Sequence, residues 1–192
     1  VPLALWLQDR LEARRGLTVG LGARYDRQRM PSGITPSSNN FSPRAGLSFR
    51  LTDRLSWRAS YGQYFQQPFF IFLSVFPQNR DLVPFRADHY VTGFTFVAPP
   101  SLRFPLEAYA KNYKDYPESS QFPTLSLANV GDTFAVRDIL FPLTSAGRER
   151  VRGVELFVEK KFTAKWFGQA NFALLRSRQA GLDGVYRPSV FD

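Results

Sequence analysis

Strict alternation of apolar and polar residues, sustained over segments of ten or more positions, most constrains how this chain can fold. In residues 17–26, Leu17, Val19, Leu21, Ala23 and Tyr25 fall on one face, and Thr18, Gly20, Gly22, Arg24 and Asp26 fall on the other. In 42–51, Pro43, Ala45, Leu47, Phe49 and Leu51 oppose Ser42, Arg44, Gly46, Ser48 and Arg50. In 55–65, Leu55, Trp57, Ala59 and Tyr61 oppose Ser56, Arg58, Ser60 and Gly62. A repeat of two marks a strand whose faces meet different surroundings, because successive Cβ atoms point to opposite sides of the pleat. No segment of comparable length carries a helical repeat.

Weaker segments follow the same rule. Residues 2–11 gather Leu3, Leu5 and Leu7, and residues 87–97 gather Tyr90, Phe94 and Phe96. Residues 102–113 set Leu102, Phe104, Leu106, Ala108 and Ala110 against Arg103, Glu107, Tyr109 and Lys111. Residues 150–162 set Val154, Leu156, Val158 and Phe162 against Gly153, Glu155 and Glu159. Residues 165–177 set Trp166, Ala170, Phe172 and Leu174 against Gln169, Asn171 and Ser177. The count is about eight strands, each longer than the ~5–6 residues usual in soluble sheets.

The connections alternate in length. Short ones fall near 12–15, 52–54, 98–101 and 163–165, and long ones near 28–40, 66–86, 114–148 and beyond 178. The long ones hold the turn formers: PSGITPSSNN at 31–40, then Pro68, Pro77, Pro84, Pro117, Pro123 and Pro142. Loops beyond ~15 residues need a reason in a compact domain. Short–long alternation supplies one, since it puts every tight turn at one end of the sheet and every long loop at the other. Transmembrane β-barrels have that asymmetry, with an apolar face for lipid and a polar face for the lumen. Aromatics near strand ends (Trp6, Tyr25, Phe41, Trp57, Tyr61, Phe96, Phe162, Trp166) suit the headgroup level. A soluble antiparallel sandwich also alternates, but would show long loops at both ends or short ones throughout. The expected fold is an all-β, antiparallel, up-and-down transmembrane β-barrel, present in part.

Composition removes most chemistry. The 192 residues include no Cys and one His, which excludes disulfide scaffolds, thiol catalysis, cysteine metal centres and multi-histidine metal sites. His89 stands beside Arg86 and Asp88 as a polar strand entry, not a metal site. The longest apolar run, Phe69–Leu73, is far short of the ~18 residues of a spanning helix. Carboxylate pairs such as Asp115/Glu118 and Glu155/Glu159 have no nucleophile or oxyanion-stabilising loop beside them. GxSxG, GxxxxGK[ST] and HExxH are absent. Neither an enzyme nor a cofactor is expected. The net charge of +9 raises nucleic-acid binding. Yet Arg14, Arg15, Arg24, Arg44, Arg50, Arg54 and Arg58 are spread along strand faces and turns instead of forming one tract. They suit a lumen or an anionic headgroup boundary better, so no nucleic-acid partner is expected. Residues 1–20 carry no signal-peptide pattern, and a start at Val1 with an end in a polar stretch reads as a piece of a longer protein.

The segments FSPRAGLSFRLTDRLSWRASYGQYFQQP (41–68), RADHYVTGFTF (86–96) and RVRGVELFVEKKF (150–162) resemble the barrel of TonB-dependent outer-membrane receptors. The tail NVGDTF…SAGRERVRGVELFVEKKFTAKWFGQANFALLRSR (129–178) does so too, and looks most like the branch with a carboxypeptidase-regulatory-like N-terminal domain. The resemblance covers nearly the whole chain through an ordered set of individually weak strand motifs. It implies barrels of about 22 strands closed by a plug, in the outer membrane of a Gram-negative-type bacterium. It implies capture of a small-molecule, glycan or peptide ligand and import energised by the TonB complex. Residues 1–192 would be a fragment of a single β-barrel domain, with the plug and N-terminal regions outside it. The partners implied are outer-membrane lipid, the plug of the same parent chain, the TonB complex and the ligand.

Two groups of candidate site residues follow. The alternation places Arg24, Arg44, Arg50, Arg58, Glu107, Lys111, Glu155 and Glu159 on the polar, lumen-facing side. Glu155 and Glu159 either contact plug or ligand, or pair across strands with arginines such as Arg58 or Arg152. Gly153 is read as allowing close strand approach. The long loops supply ligand-binding candidates. Phe69, Phe70, Phe72 and Phe76 either form an aromatic surface for a ligand, or belong to a short helix or loop that buries its aromatics inward. Tyr113 and Tyr116, with Tyr109, either stack on a ligand at the barrel mouth or anchor the interface. The competing readings are a passive porin-like or structural barrel without a plug, and a soluble β-sheet binding module.

Overall fold

The computed structural model describes residues 3–28, 38–124, 142–163 and 166–189, without the side chain of Phe162. Residues 164–165 of the turn expected at 163–165, and the inner parts of the loops expected at 28–40 and 114–148, lie outside the described residues. So does the side chain of Phe162, one of the expected strand-end aromatics.

Nine strands form one antiparallel sheet in strict chain order: β1 (Leu3–Arg14), β2 (Leu17–Gln28), β3 (Ser38–Arg50), β4 (Leu55–Gln66), β5 (Phe85–Ala98), β6 (Leu102–Ser119), β7 (Leu143–Thr163), β8 (Trp166–Ala180) and the two-residue β9 (Arg187–Pro188). Between β4 and β5 lie a short helix α1 (Phe70–Val75) and a 3₁₀ turn (Pro77–Asp81). The sheet is not closed, since β1 and β9 stand at its two edges. Up-and-down order is what hairpin connections between neighbours produce.

The register keeps the alternation in phase across strands. Val19 pairs with Leu47, Leu47 with Ala59, Ala59 with Thr92, Thr92 with Ala108 and Ala108 with Val154, which in turn pairs with Leu174. Directly opposed residues share a face, so a single apolar face runs from β1 to β8. It is open to the surroundings: Leu21 is 57% exposed and Leu174 62%. A sheet in water would cover such a surface, because each large side chain left uncovered forgoes about 1.5–3 kcal/mol. Aromatics mark the inner end of this face. Trp57 sits opposite both Phe49 and Phe94, and its indole N–H donates to the Thr92 hydroxyl at 3.0 Å. Toward the other end, Tyr61 and Tyr90 pair with ring centroids 5.0 Å apart.

Three expectations are corrected. Trp6 pairs with Arg24 and therefore stands on the polar face, so it does not belong to an apolar-face girdle. Arg152 pairs with Ala110 and Arg176 on the apolar face, so it is not available to Glu155 or Glu159. The connection expected at 114–148 is far shorter, because β6 runs on to Ser119 and β7 begins at Leu143. Register shifts on either side of Tyr116 absorb the extra residues of β6. Alternation fails there, which is why those residues read as loop. The tight turn after β1 lies at Arg15–Gly16, where Gly16 takes φ +82°, a value that disfavours side-chain-bearing residues.

Candidate functional site

All eight polar candidates stand on one face. Arg24 and Arg44 flank Gly22 through the β2–β3 register, and Arg58 lies opposite Gly93. Lys111 lies opposite His89 and Val151, and Arg50 opposite Ser56. Glu107 and Glu155 are directly opposed, a like-charge pair that needs cations nearby. Arg58 supplies one by an ion pair with Glu107. Glu155 lies diagonally across from Tyr109, which stands directly opposite Gly153. Glu159 pairs with Arg103 at 3.7 Å, and Arg24 holds Asp26 through two hydrogen bonds of 2.7 Å. Among the described residues, Arg58 and Glu107 are the two of the eight joined to each other by an ion pair, while Arg24 and Glu159 pair with Asp26 and Arg103 outside the group.

Glycines leave room for the larger polar-face groups. A Cβ on Gly153 would fall 2.4 Å from the ring of Tyr109 on the neighbouring strand, so the glycine accommodates that ring. The Lys111 ammonium lies 5.0 Å from the same ring, and the Arg44 guanidinium lies 4.7 Å over Tyr64. Small residues and glycines of β2–β4, with Arg10, Arg44, Arg58, Tyr64, His89 and Glu107 at its walls, enclose an open concavity of about 630 Å³. His89 packs between Tyr64 and Tyr113, with ring centroids at 4.8 and 6.2 Å.

The segment between β4 and β5 folds over one end of this polar face. Leu73 of α1, Leu82 and Leu143 form a buried cluster, with Ile71, Phe72 and Tyr116 packed on it. Asn79, fully buried, ties the segment down. Its amide N–H₂ donates to the Phe72 carbonyl at 2.7 Å, and its carbonyl accepts the Leu143 N–H at 2.7 Å. The Val83 N–H adds a bond to the Ser145 hydroxyl at 3.0 Å. The expected aromatic group is thereby divided. Phe72 packs against the cluster and meets Phe69 edge-on at 5.6 Å. Phe76 is half-buried, whereas Phe69 and Phe70 face outward, Phe70 with 62% of its surface open. Tyr116 is held against Phe85 at 4.9 Å. Tyr113 stands on the polar face opposite Ala87 and Glu149, away from the apolar side. Asn79 and Glu149 are site residues that sequence reasoning missed. Asn79 sits among turn formers, and nothing in its sequence surroundings signals burial. Glu149, which accepts the Ser177 hydroxyl at 2.7 Å, falls between the loop read at 114–148 and the strand read at 150–162. Beyond β8, Arg187 donates twice to Asp183 and holds that carboxyl below the usual aspartate range.

Comparison with known proteins bears on this architecture. Residues 2–189 match the family described as TonB dependent receptor-like, beta-barrel. No curated protein matches the chain. Among solved structures, the ferripyoverdine receptor of the outer membrane of Pseudomonas aeruginosa superposes with TM-score 0.72 at 19% identity, over 97% of this chain and 24% of that one. The siderophore receptor PiuA from Acinetobacter baumannii gives 0.70 at 16% identity, over 100% of this chain and 28% of that one. The alcaligin outer-membrane receptor FauA from Bordetella pertussis gives 0.66 at 16%, over 98% and 32%. The chain spans 24% to 32% of the length of these receptors. At these identities the superpositions speak for the fold, while the family match extends over nearly every residue. The chain belongs to the β-barrel family of TonB-dependent receptors.

Proposed function

We propose that this chain is part of the wall of an outer-membrane receptor that captures a scarce ligand at the cell surface and imports it. The observation that carries the reading is the two-faced sheet itself. One face is apolar across its middle and uncovered, and the other carries charges, some of them paired across strands, and a folded loop at one end. Only a lipid-facing, water-lined wall gives both faces a favourable environment. Residues 1–192 would be one portion of a single β-barrel domain of about 22 strands. Arg24, Arg44, Arg50, Arg58, Glu107, Lys111, Glu155 and Glu159 would face the lumen and meet the plug of the same parent chain. The tight turns would face the periplasm, and the 66–84 segment the cell exterior. Phe69 and Phe70, exposed on that segment, are the first candidates to meet ligand, with Phe72, Phe76, Tyr113 and Tyr116 forming the base beneath them.

The neighbouring receptors named for ferripyoverdine and other siderophores make a ferric siderophore the first ligand class to assay, ahead of glycans and peptides. Transport would draw on the TonB complex, and the protein does no catalysis in this reading. The test is uptake of radiolabelled ferric siderophores by cells expressing the full-length receptor, with and without TonB. Uptake that requires both receptor and TonB supports the proposal. Receptor-dependent entry that continues unchanged without TonB would establish a passive pore instead.

A further inference from the structure

Four arginines stand together on the apolar face at its loop end. Arg150 of β7 is directly opposite Arg178 of β8, and Arg152 is directly opposite Arg176. All four are exposed. Their face is fixed by the same register that pairs Val154 with Leu174 and Leu156 with Phe172 one and two steps further down the strands. On β7 this face runs from Lys160, beside Trp166 at the turn end, through Val158, Leu156 and Val154 to Arg152. At ~3.3 Å per residue and a tilt of ~40°, Lys160 and Arg152 are about 20 Å apart along the barrel axis, close to the height of an apolar band. The arginines therefore sit where hydrocarbon gives way to headgroups.

Like charges directly opposite one another destabilise a strand pair, and here two such pairs are stacked. No carboxylate relieves them among the described residues. The ion pairs there join Arg24 to Asp26, Arg58 to Glu107, Arg86 to Asp88, Arg103 to Glu159 and Arg187 to Asp183. The nearby Glu149 lies on the opposite face, hydrogen-bonded by Ser177. Arg152 uses its guanidinium on the Asn112 side chain and on the Lys111 and Val151 carbonyls. Arg150 lies over the Tyr186 ring at 4.2 Å. Both contacts hold a guanidinium in place without neutralising it. At a fully solvated surface, water and salt would screen such a cluster. One step from lipid-facing leucine and phenylalanine, the groups in reach are lipid headgroups.

We infer that Arg150, Arg152, Arg176 and Arg178 form a site for the phosphate groups of an outer-leaflet lipid. The guanidinium fork matches phosphate oxygens two at a time, which a point charge cannot do. The apolar residues below, Val154, Leu174 and Phe172, would take the acyl chains of the same molecule. Lys114, on the same face of β6 opposite Arg86, extends the cation row toward β5. The inference rests on the outer-membrane reading above.

The experiment uses the full-length receptor purified in detergent, with diphosphorylated lipid A as the probe and bound lipid counted by native mass spectrometry. Replacing all four residues (R150Q, R152Q, R176Q, R178Q) is expected to weaken lipid A binding at least tenfold. The corresponding four lysine replacements should lose less, and R54Q in a turn at the opposite end should lose nothing. Removing one phosphate from the lipid A should weaken binding to the unaltered receptor, and inorganic phosphate at equal concentration should not displace it. Equal binding by the glutamine variant and the unaltered receptor would overturn the site. Displacement by inorganic phosphate would overturn the assignment to a lipid. Should the glutamine variant fail to assemble, salt decides: raising NaCl from about 0.05 to 0.5 M must weaken binding to the unaltered receptor, and indifference to salt overturns the proposal. Membrane fractionation is read separately. A receptor found outside the outer membrane refutes the proposed function, whereas one found there that binds lipid A independently of the arginines refutes the lipid site alone.

Discussion

Side chains that differ by one position in the strand meet opposite environments. Leu47 is flanked by Val19 and Ala59 on the apolar face, whereas Ser48 lies opposite Thr18 and Arg58 on the polar one. Arginine at Leu47 should impair assembly of the full-length receptor by about 2–4 kcal/mol, and arginine at Ser48 by much less. Unfolding titrations of the receptor refolded into lipid vesicles check this, and equal losses would reverse the face assignment. Leu21 is a poorer site for the same test than its exposure suggests. It lies directly opposite Asp9, the one carboxylate set among the apolar-face leucines of β1, so an arginine there would gain a partner. Leu21→Arg should therefore cost less than Leu47→Arg in that assay. Glycines offer a second contrast. A Cβ on Gly93 would fall 2.5 Å from the Leu106 carbonyl, which is backbone and cannot swing away, whereas the one on Gly153 meets only the tip of the Tyr109 ring. Gly93→Ala should cost about 1–3 kcal/mol by overpacking, and Gly153→Ala less, since the ring can turn aside. The same vesicle titrations rank the two.

The least regular element is the segment from Phe69 to Val83, and one residue secures most of it. Asn79 bridges the Phe72 carbonyl and the Leu143 N–H, so Asn79→Ala removes the acceptor of the buried Leu143 N–H and one of the donors to the Phe72 carbonyl. A buried backbone N–H left unpaired costs about 1–3 kcal/mol. The loss should appear locally, as faster hydrogen exchange at Leu143 and through α1, while exchange in β2–β5 stays unchanged. If Phe69 and Phe70 meet ligand, the same variant weakens ligand binding without affecting assembly. Strands and this segment differ in how far they were legible. Alternation announced β2 and β4 to within two residues at each end, and β3 except for its first four residues. It missed the outer ends of β6 and β7, where register shifts around Tyr116 break the repeat. An inward-folding short helix in 66–78 was one of two readings of that apolar stretch. The structure has both features at once, with Phe72 packed inward and Phe70 outward.

For the molecule as a whole, an uncovered apolar face and two free sheet edges set what the chain can do alone. The isolated 192-residue chain should precipitate from detergent-free buffer. Added to lipid vesicles, it should not give the heat-modifiable band of a closed barrel, because unpaired edge groups cannot persist in hydrocarbon. A monomeric species of this chain in buffer would argue for the soluble β-sheet module instead.

Which residues of β2, β3 and β4 share the apolar face and which the polar one was decided by the sequence alone, since a period of two leaves each strand only two ways to lie. The antiparallel up-and-down class followed as well, because short and long connections alternate and join neighbours. Tertiary structure alone decided how the faces are used. The pairing of Arg58 with Glu107 instead of Glu155, the placement of Arg152 among arginines on the apolar face, and the anchoring of α1 through Asn79 all depend on cross-strand register and on contacts more than 20 positions apart. A local repeat carries no information about which strand lies alongside or at what offset. Those contacts set the charge balance on each face and the position of the loop above it.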